Sequence, residues 1–159
     1  FTLTDEVCQH CLKQVGWPLP YYLQLIFHSL KELPQQRTAD FPRITDIDAA
    51  YAALLQPHHD ALFAHWHSRL AEQFESPDAL RIAHELLRTL CTKPRGIKRD
   101  TLIATLQARL LNSDTEQIGQ QARQILNILE RDGYLLRSPN ETISFRSFLL
   151  RDFWKRRYT

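Results

Sequence analysis

The sequence contains no methionine and only four glycines, and the shortage of glycine excludes several classes of nucleotide site. A phosphate-binding P-loop needs two glycines five positions apart, and a dinucleotide fingerprint needs three within six positions. The closest pair here, Gly119 and Gly133, is fourteen positions apart. A Gly-x-Ser-x-Gly nucleophile elbow is excluded for the same reason. The chain therefore has no glycine-rich loop of its own with which to hold nucleotide phosphates.

Long apolar runs are missing as well. No stretch approaches the roughly 18 apolar residues of a membrane span, and no signal-type segment precedes the first predicted helix. We therefore expect a cytoplasmic protein with no membrane partner. Because the chain starts at Phe1 and lacks methionine, we also expect a piece of a longer protein. Its 159 residues, 43% apolar and 24% charged, are typical of one globular domain or two small ones.

The three cysteines are too few for a structural zinc site built from cysteine pairs. Cys8 and Cys11 have the C-x-x-C spacing of half a site, but Cys91 lies eighty residues further on without a partner. The pair also falls inside a predicted amphipathic helix, whereas a redox motif lies at a strand-to-helix junction. We interpret both cysteines as thiols that face the core, and we predict no metal site.

Four histidines lie close together in the sequence, but their spacing favours neither metal binding nor catalysis: His58, His59, His65 and His67. No pair among them has the i,i+4 spacing with which two histidines on a helix share an ion. Since they lie opposite an apolar stripe, we expect a solvated face. We also find no nucleophile with a neighbouring base, so we predict no enzyme activity for this chain alone. The alternative from the enzyme class is an unrecognised helical catalyst.

The net charge of +2 hides an asymmetry between the two halves of the chain. Residues 1–76 carry five basic and nine acidic side chains, for −4, whereas residues 77–159 carry fifteen and nine, for +6. The composition changes around Glu75-Ser76-Pro77, a polar stretch that contains proline. We therefore predict two domains, 1–76 and 77–159, of which the second has the charge to accept a polyanionic partner.

Hydrophobic periodicity predicts helices in the first half and a mixed pattern in the second. In the first half, Pro57 is placed for the first turn of a helix that runs to Phe74. In the second half, Ser113 is the predicted cap of a long helix. The predicted elements of the second half are helices over 78–90, 98–111 and 113–132, strands over 134–137 and 142–146, and a last helix over 148–158.

Three helices followed by a β-hairpin is the element order of a winged helix-turn-helix. We therefore predict a mainly α protein, in which a helical lid-like subdomain (1–76) is followed by a winged-helix domain (77–159) with a small β-hairpin. A generic small helical domain fits the same periodicity and stays open as the alternative.

The third helix of the second half turns polar side chains away from its apolar arc. Arginine, glutamine and asparagine can pair bidentately with base edges in a major groove, and basic residues on either side suit phosphate contacts. Two readings stay open: a DNA-binding surface, and the ordinary polar side of a soluble helix, on which Glu116 is unfavourable for DNA. The candidate DNA-binding residues are Lys98, Arg99, Gln120, Arg123, Gln124, Asn127, Arg137 and Arg146.

Two parts of the chain resemble a known family. Gly16-Trp-Pro-Leu-Pro-Tyr-Tyr-Leu-Gln-Leu25 resembles the Gly-x-Pro turn and the following helix in the lid of AAA+/STAND-type ATPases. Leu129-Glu-Arg-Asp-Gly-Tyr-Leu135 and Ile143-Ser-Phe-Arg-Ser-Phe-Leu-Leu-Arg-Asp-Phe-Trp154 resemble the winged-helix end of bacterial and archaeal ATPases related to the origin-recognition group. The resemblance spans nearly the whole chain, and the order of lid turn, helices and winged helix contributes most to it.

The resemblance implies that a P-loop ATPase core, absent from this chain, precedes the lid. ATP and magnesium would bind in that missing N-terminal domain, and no cofactor is expected in these 159 residues. Gly16 and Pro18 would lie over the adenine, and proline suits this position because it is apolar, rigid and lacks an N–H group. The same two residues also fit a plain helix terminator. The arginine sensor of the family's lid has no counterpart that we can place.

The expected function is therefore that of a lid and winged-helix module in a P-loop ATPase. Such a module couples the nucleotide state of the missing core to DNA binding through the third helix and the wing. The alternative is that the winged helix forms a protein–protein or autoinhibitory contact without DNA binding. Salt dependence separates the two, because phosphate contacts weaken steeply with salt and apolar contacts do not.

Overall fold

The computed structural model describes residues 2–110 and 114–159 of the chain. They form two compact units. The first comprises the chain up to Leu62 together with Ser147–Leu149, and the second comprises Phe63–Arg146 and Leu150–Thr159. The boundary between these units lies before the composition change at residues 75–77. The predicted division into 1–76 and 77–159 stays a prediction.

The first unit is built on three helices, each with one buried face: α1 (Asp5–Val15), α2 (Pro20–Glu32) and α3 (Ile44–Leu54). Thr4 caps α1 by accepting a hydrogen bond from the backbone N–H of Val7 at 3.3 Å. The hydroxyl of Ser29 in α2 donates to the carbonyl of Ala50 in α3 at 3.0 Å, which ties these two helices together in the core. His10 Nε2 lies 2.6 Å from Asp48 Oδ1, which links α1 to α3. Two 3-10 turns complete this unit, at Pro34–Arg37 and Pro57–Leu62.

The second unit contains most of the remaining helices and the sheet. Its elements are α4 (Ala64–Gln73), α5 (Pro77–Leu90), β1 (Ile97–Lys98), α6 (Arg99–Arg109), α7 (Thr115–Arg131), β2 (Leu135–Arg137) and β3 (Thr142–Phe145). The last helix, α8 (Phe148–Tyr158), belongs to it from Leu150 onwards. Helix α7 packs on α5, α6 and β2, and its buried residues include Ala122, Leu126 and Leu129.

The three strands form one antiparallel sheet in the order β1-β3-β2. Ile97 of β1 faces Ile143 of β3, and Leu135 of β2 faces Phe145 of β3. The hydroxyl of Tyr134, just before β2, donates to the carbonyl of Trp66 at 2.6 Å. Burial raises the pKa of this phenol, so it remains a donor at neutral pH. The mainly α fold with a small β-hairpin is confirmed.

The observed cap of α7 and the observed break within 57–74 differ from what the sequence predicts. The long helix α7 is capped by Asp114, whose Oδ1 accepts the backbone N–H groups of Glu116 at 3.0 Å and Gln117 at 3.4 Å. The predicted cap, Ser113, and the end of the predicted helix 98–111 lie outside the described residues. The predicted helix from Pro57 to Phe74 is wrong: a 3-10 turn ends at Leu62, and α4 begins at Ala64.

Candidate nucleic-acid interface

The polar side of α7 carries the side chains that the sequence predicts to contact bases. The buried side of the helix fixes its orientation, because Ile118, Ala122 and Leu129 pack in the core of the second unit. The opposite side is exposed and carries the four predicted base contacts: Gln120, Arg123, Gln124 and Asn127. The structure therefore brings these four residues together on one surface. Their binding to DNA stays a prediction.

Arg137 of the hairpin is held in place by acceptors rather than left free at the surface. Its Nε and Nη2 donate to Glu130 Oε1 at 3.0 and 2.9 Å, and Nη2 also donates to Asn127 Oδ1 at 2.9 Å. Its Nη1 lies 3.6 Å from Glu141 Oε2. Because its charge is shared with two carboxylates, Arg137 is poorly suited to a phosphate contact. It instead joins β2 to the last turns of α7.

Lys98, the last residue of β1, and Arg99, the first residue of α6, also contact the hairpin. The ammonium group of Lys98 donates to the carbonyl of Asn140 at 2.5 Å, and the backbone N–H of Arg99 donates to the carbonyl of Glu141 at 2.9 Å. The Nε of Arg99 is buried without a hydrogen-bond partner among the described residues. These contacts fix the tip of the hairpin against α6. Lys98 keeps further N–H donors at an exposed position.

The remaining predicted DNA contact, Arg146, follows β3 and is exposed. Its backbone N–H donates to the carbonyl of Tyr134 at 3.0 Å, so the position of its Cα is fixed by the hairpin. Arg95, in the turn before β1, is exposed as well. It lines a depression of about 550 Å³ on the hairpin, together with Leu136 and Ser144. The hairpin thus carries exposed basic residues on its flanks.

The turn after α1 contains the two predicted nucleotide contacts, Gly16 and Pro18. Gly16 has φ +74°, and an added Cβ would lie 2.7 Å from the ring of Phe148. Its N–H donates to the carbonyl of Leu12 at 3.1 Å, which ends α1. Packing within the first unit is therefore sufficient to require glycine here. Gly16 and Pro18 are both exposed, and their contact with a nucleotide stays a prediction.

The histidines do not all lie on a solvated face, because His59 and His67 are both half-buried. His58 and His65 are exposed, but His67 is half-buried and stacks on Tyr158 with a centroid distance of 5.2 Å. Its ring also lies 5.0 Å from that of His84 and 6.2 Å from that of Trp154. We call His67, His84, Trp154 and Tyr158 the ring cluster. It joins α4, α5 and α8 within the second unit.

The lowered pKa of His84 in the ring cluster predicts that the second unit becomes less stable in mild acid. Burial lowers the pKa of His84, the charge of His67 lowers it further, and Glu85 opposes both. Because the folded pKa lies below the unfolded value of 6.5, the unfolded chain binds more protons in mild acid. The stabilising contribution of neutral His84 is therefore fully present above pH 6.5. We expect this contribution to be lost as the pH falls from 6.5 to the lower pKa of the folded state. Thermal unfolding at about pH 7.5 and about pH 5.5, where most carboxylates stay ionised, measures the effect.

The control for this prediction replaces a histidine outside the ring cluster. His84→Gln is expected to reduce the difference in Tm between the two pH values, whereas His58→Gln, at an exposed position, should leave it unchanged. An equal difference in the wild type and in His84→Gln would contradict a role for His84.

Two of the three cysteines lie in the core, as expected for Cys11, whereas Cys8 is only half-buried. Cys11 and Cys91 are buried, and burial raises the pKa of both thiols. In residues 2–110 and 114–159, no three side chains of histidine, cysteine, aspartate or glutamate converge as metal ligands. None of the helices in the same residues is long and apolar enough to cross a membrane.

Comparison with protein-family models, with curated proteins and with solved structures found no match to this chain. Its function has therefore to be inferred from the chemistry of its own surface. Within the described residues, that surface offers no set of metal ligands. It does offer a helix with an exposed row of glutamine, arginine and asparagine side chains beside a β-hairpin with basic flanks.

Proposed function

We propose that this chain is the lid and winged-helix module of a P-loop ATPase, and that its second unit binds duplex DNA. The exposed row Gln120, Arg123, Gln124 and Asn127 on α7 carries the proposal. These are side-chain types that read base edges in a major groove, which is wide enough to admit an α-helix. The order α5, β1, α6, α7, β2, β3 and the antiparallel sheet fit a winged helix-turn-helix.

The two ends of α7 support a reading role because both are fixed. Asp114 caps its first turn, and Arg137 ties Asn127 and Glu130 near its last turn to β2. A helix held in this way presents its side chains without a large loss of entropy on binding. Exposed Lys98, Arg95 and Arg146 supply phosphate contacts around it.

The link to nucleotide is the second part of the proposal. Gly16 and Pro18 form an exposed turn after α1, as an adenine-covering lid turn requires. ATP and magnesium belong to the missing core, so this chain alone is expected to hydrolyse no ATP. The nucleotide state of that core would then be coupled to DNA binding through the lid.

Salt-dependent binding tests the DNA part. Anisotropy of a fluorescein-labelled duplex, titrated with the chain at several salt concentrations, is expected to show log Kd rising linearly with log salt. Arg146→Ala should reduce the magnitude of this slope by about one and weaken all sequences alike. Arg37→Ala removes the same charge from an exposed position of the first unit and should leave the slope unchanged. A folded sample that binds no duplex at low salt would exclude the DNA-binding function.

A protein-contact function is the second candidate, and one observation favours it. Leu136 of β2 is 51% exposed at the depression on the hairpin, where an apolar side chain has no use in phosphate binding. Under this alternative the hairpin packs on the ATPase core or on another protein. Leu136→Ser would then abolish the contact, and salt would affect it little.

A further inference from the structure

A second depression, of about 320 Å³, lies within the second unit, and every lining residue that the structure describes is polar. Its volume is the share of roughly ten water molecules at about 30 Å³ each, which is enough for a small ligand. A polar lining does not suit an apolar molecule. We call this depression the arginine pocket. Its lining residues come from α5 and the turn after it, from α6 and from the end of α8: Glu85, Arg88, Thr89, Thr92, Arg109 and Thr159.

Two arginines of the arginine pocket share one carboxylate. Arg88 Nη1 lies 3.6 Å from Glu85 Oε1, and Arg109 Nη1 lies 3.9 Å from Glu85 Oε2. Both distances exceed that of a hydrogen bond, and the three side chains sum to a charge of +1. A guanidinium group has five N–H donors. Among the described residues, the hydrogen bond from Arg109 Nη1 to Thr89 Oγ1 is the only one that either group donates. Most of the ten donors are therefore left for a ligand.

Thr89 fixes the position of Arg109. Thr89 is buried, and its hydroxyl donates to the carbonyl of Glu85 at 2.8 Å. The hydroxyl oxygen accepts a hydrogen bond from Arg109 Nη1 at 2.7 Å. One corner of the planar guanidinium group is therefore held, while Nε and Nη2 can still donate. An arginine that is already oriented loses less entropy when it binds a ligand.

The ends of three helices bring positive charge to this part of the second unit. Arg88 lies in the last turn of α5, and Arg109 is the last residue of α6. The last turn of α8 contains Lys155, Arg156 and Arg157. Together these charges exceed the partial negative charge at the helix ends, which is about half an elementary charge for each helix. The electrostatic field therefore favours an anion in the arginine pocket.

We infer that the arginine pocket binds a small phosphate monoester, whose phosphate group is held by Arg88 and Arg109. The two guanidinium groups belong to different helices, and each can donate two parallel N–H bonds to a pair of oxygens. A carboxylate has only two oxygens to share between them. A terminal phosphate group has three, and it carries about 1.5 to 2 negative charges at neutral pH. The inference does not depend on DNA binding by α7.

Titration of the ¹⁵N-labelled chain with methyl phosphate at constant ionic strength tests this assignment. We expect saturable shifts of the Nε–H signals of Arg88 and Arg109, with a Kd of about 1 mM. Inorganic phosphate should bind with a similar Kd, because the phosphate group supplies the oxygens that the arginines contact. Acetate, with one charge and two oxygens, should bind about tenfold more weakly. Acetate binding as tight as that of methyl phosphate would overturn the assignment to phosphate.

Removing either arginine should weaken binding, and the chain offers a matched control. Arg88→Gln and Arg109→Gln are each expected to raise the Kd for methyl phosphate about tenfold. Arg81 lies two turns before Arg88 on α5, is exposed, and has its own carboxylate neighbour three residues earlier, Asp78 Oδ1, at 3.9 Å. Arg81 does not line the pocket. Arg81→Gln should therefore leave the Kd unchanged, and an equal loss in all three variants would contradict a defined site.

Thr89 is tested as a positioning residue by two substitutions that keep the charge. Thr89→Val removes the oxygen that holds Arg109 and should raise the Kd about fivefold. Thr89→Ser keeps the hydroxyl and should bind like the wild type. Equal affinities in Thr89→Val and Thr89→Ser would overturn this role. A folded wild-type chain without saturable shifts up to about 20 mM methyl phosphate would overturn the whole inference, while duplex binding would be unaffected.

Discussion

Replacing Gly96 by alanine is expected to destabilise the second unit by roughly 3 kcal/mol. Gly96 has φ +79°, and an added Cβ would lie 2.4 Å from the carbonyl oxygen of Ile143 and 2.8 Å from Thr142 Cγ2. The carbonyl belongs to β3, the central strand, which pairs with both neighbours and cannot move aside. The energetic cost of the positive φ and the cost of the clash with a fixed carbonyl are therefore added together. Urea unfolding followed by tryptophan fluorescence measures the loss, since Trp66 and Trp154 are both buried in this unit.

Gly119→Ala is the matched control for this substitution. Gly119 lies within α7, and an added Cβ would meet Gln107 Nε2 at 2.6 Å, the far end of a flexible side chain. Alanine is favoured over glycine inside a helix by up to about 1 kcal/mol. Displacing Gln107 costs its hydrogen bond to the carbonyl of Thr115, so the two effects offset each other. We expect little change in stability, and equal losses for both variants would contradict the importance of the β3 carbonyl.

The elements that follow a regular hydrophobic period could be predicted from the sequence. The sequence predicts helix α7 over 113–132, and the helix is observed over Thr115–Arg131, because Ile118, Ala122, Ile125 and Leu129 mark one buried face. The hairpin was predicted from two short apolar runs around a Ser-Pro-Asn-Glu turn, and the strands lie within those runs. Both signals are local, so neither depends on the rest of the chain.

Elements that depend on distant partners could not be predicted in this way. Strand β1 has only two residues, Ile97 and Lys98, and is defined by its pairing with β3. The break between the 3-10 turn and α4 has a similar origin. The hydroxyl of Tyr21 donates to the carbonyl of Leu62 at 2.6 Å, from 41 residues away, so this carbonyl is engaged by a side chain. Periodicity contains no information about either contact.

The candidate site also has some features that could be predicted from the sequence and others that could not. The exposed row on α7 could be predicted because exposure follows from helical period alone. The engagement of Arg137 by Glu130 and Asn127 could not, since it requires the hairpin to fold back onto the helix. His67 was placed on a solvated face because the sequence does not show that α5 and α8 cover that side. Charge and helical period thus predict which surface is polar. Tertiary contacts determine which of its side chains are engaged by hydrogen bonds within the protein.

Trp154→Ala is expected to cost about 4 kcal/mol of unfolding free energy, the range for truncating a buried aromatic residue. Trp154 is fully buried, and its ring lies 4.8 Å from that of Tyr158, 6.1 Å from that of His84 and 6.5 Å from that of Phe145. Its loss would leave a cavity between α8, α5 and β3. Urea denaturation, with Trp17→Ala as a half-buried control that should cost far less, measures the difference.

The indole nitrogen makes a sharper comparison possible. Trp154 Nε1 is buried, and the described residues offer it no hydrogen-bond partner. Trp154→Phe therefore removes a donor that contributes no protein hydrogen bond, while most of the ring contacts in the cluster remain. We expect it to cost about 1 kcal/mol, much less than Trp154→Ala. A cost for Trp154→Phe close to that of alanine would show that Nε1 has a partner, such as an ordered water, and that the ring cluster is held by polar as well as apolar contacts.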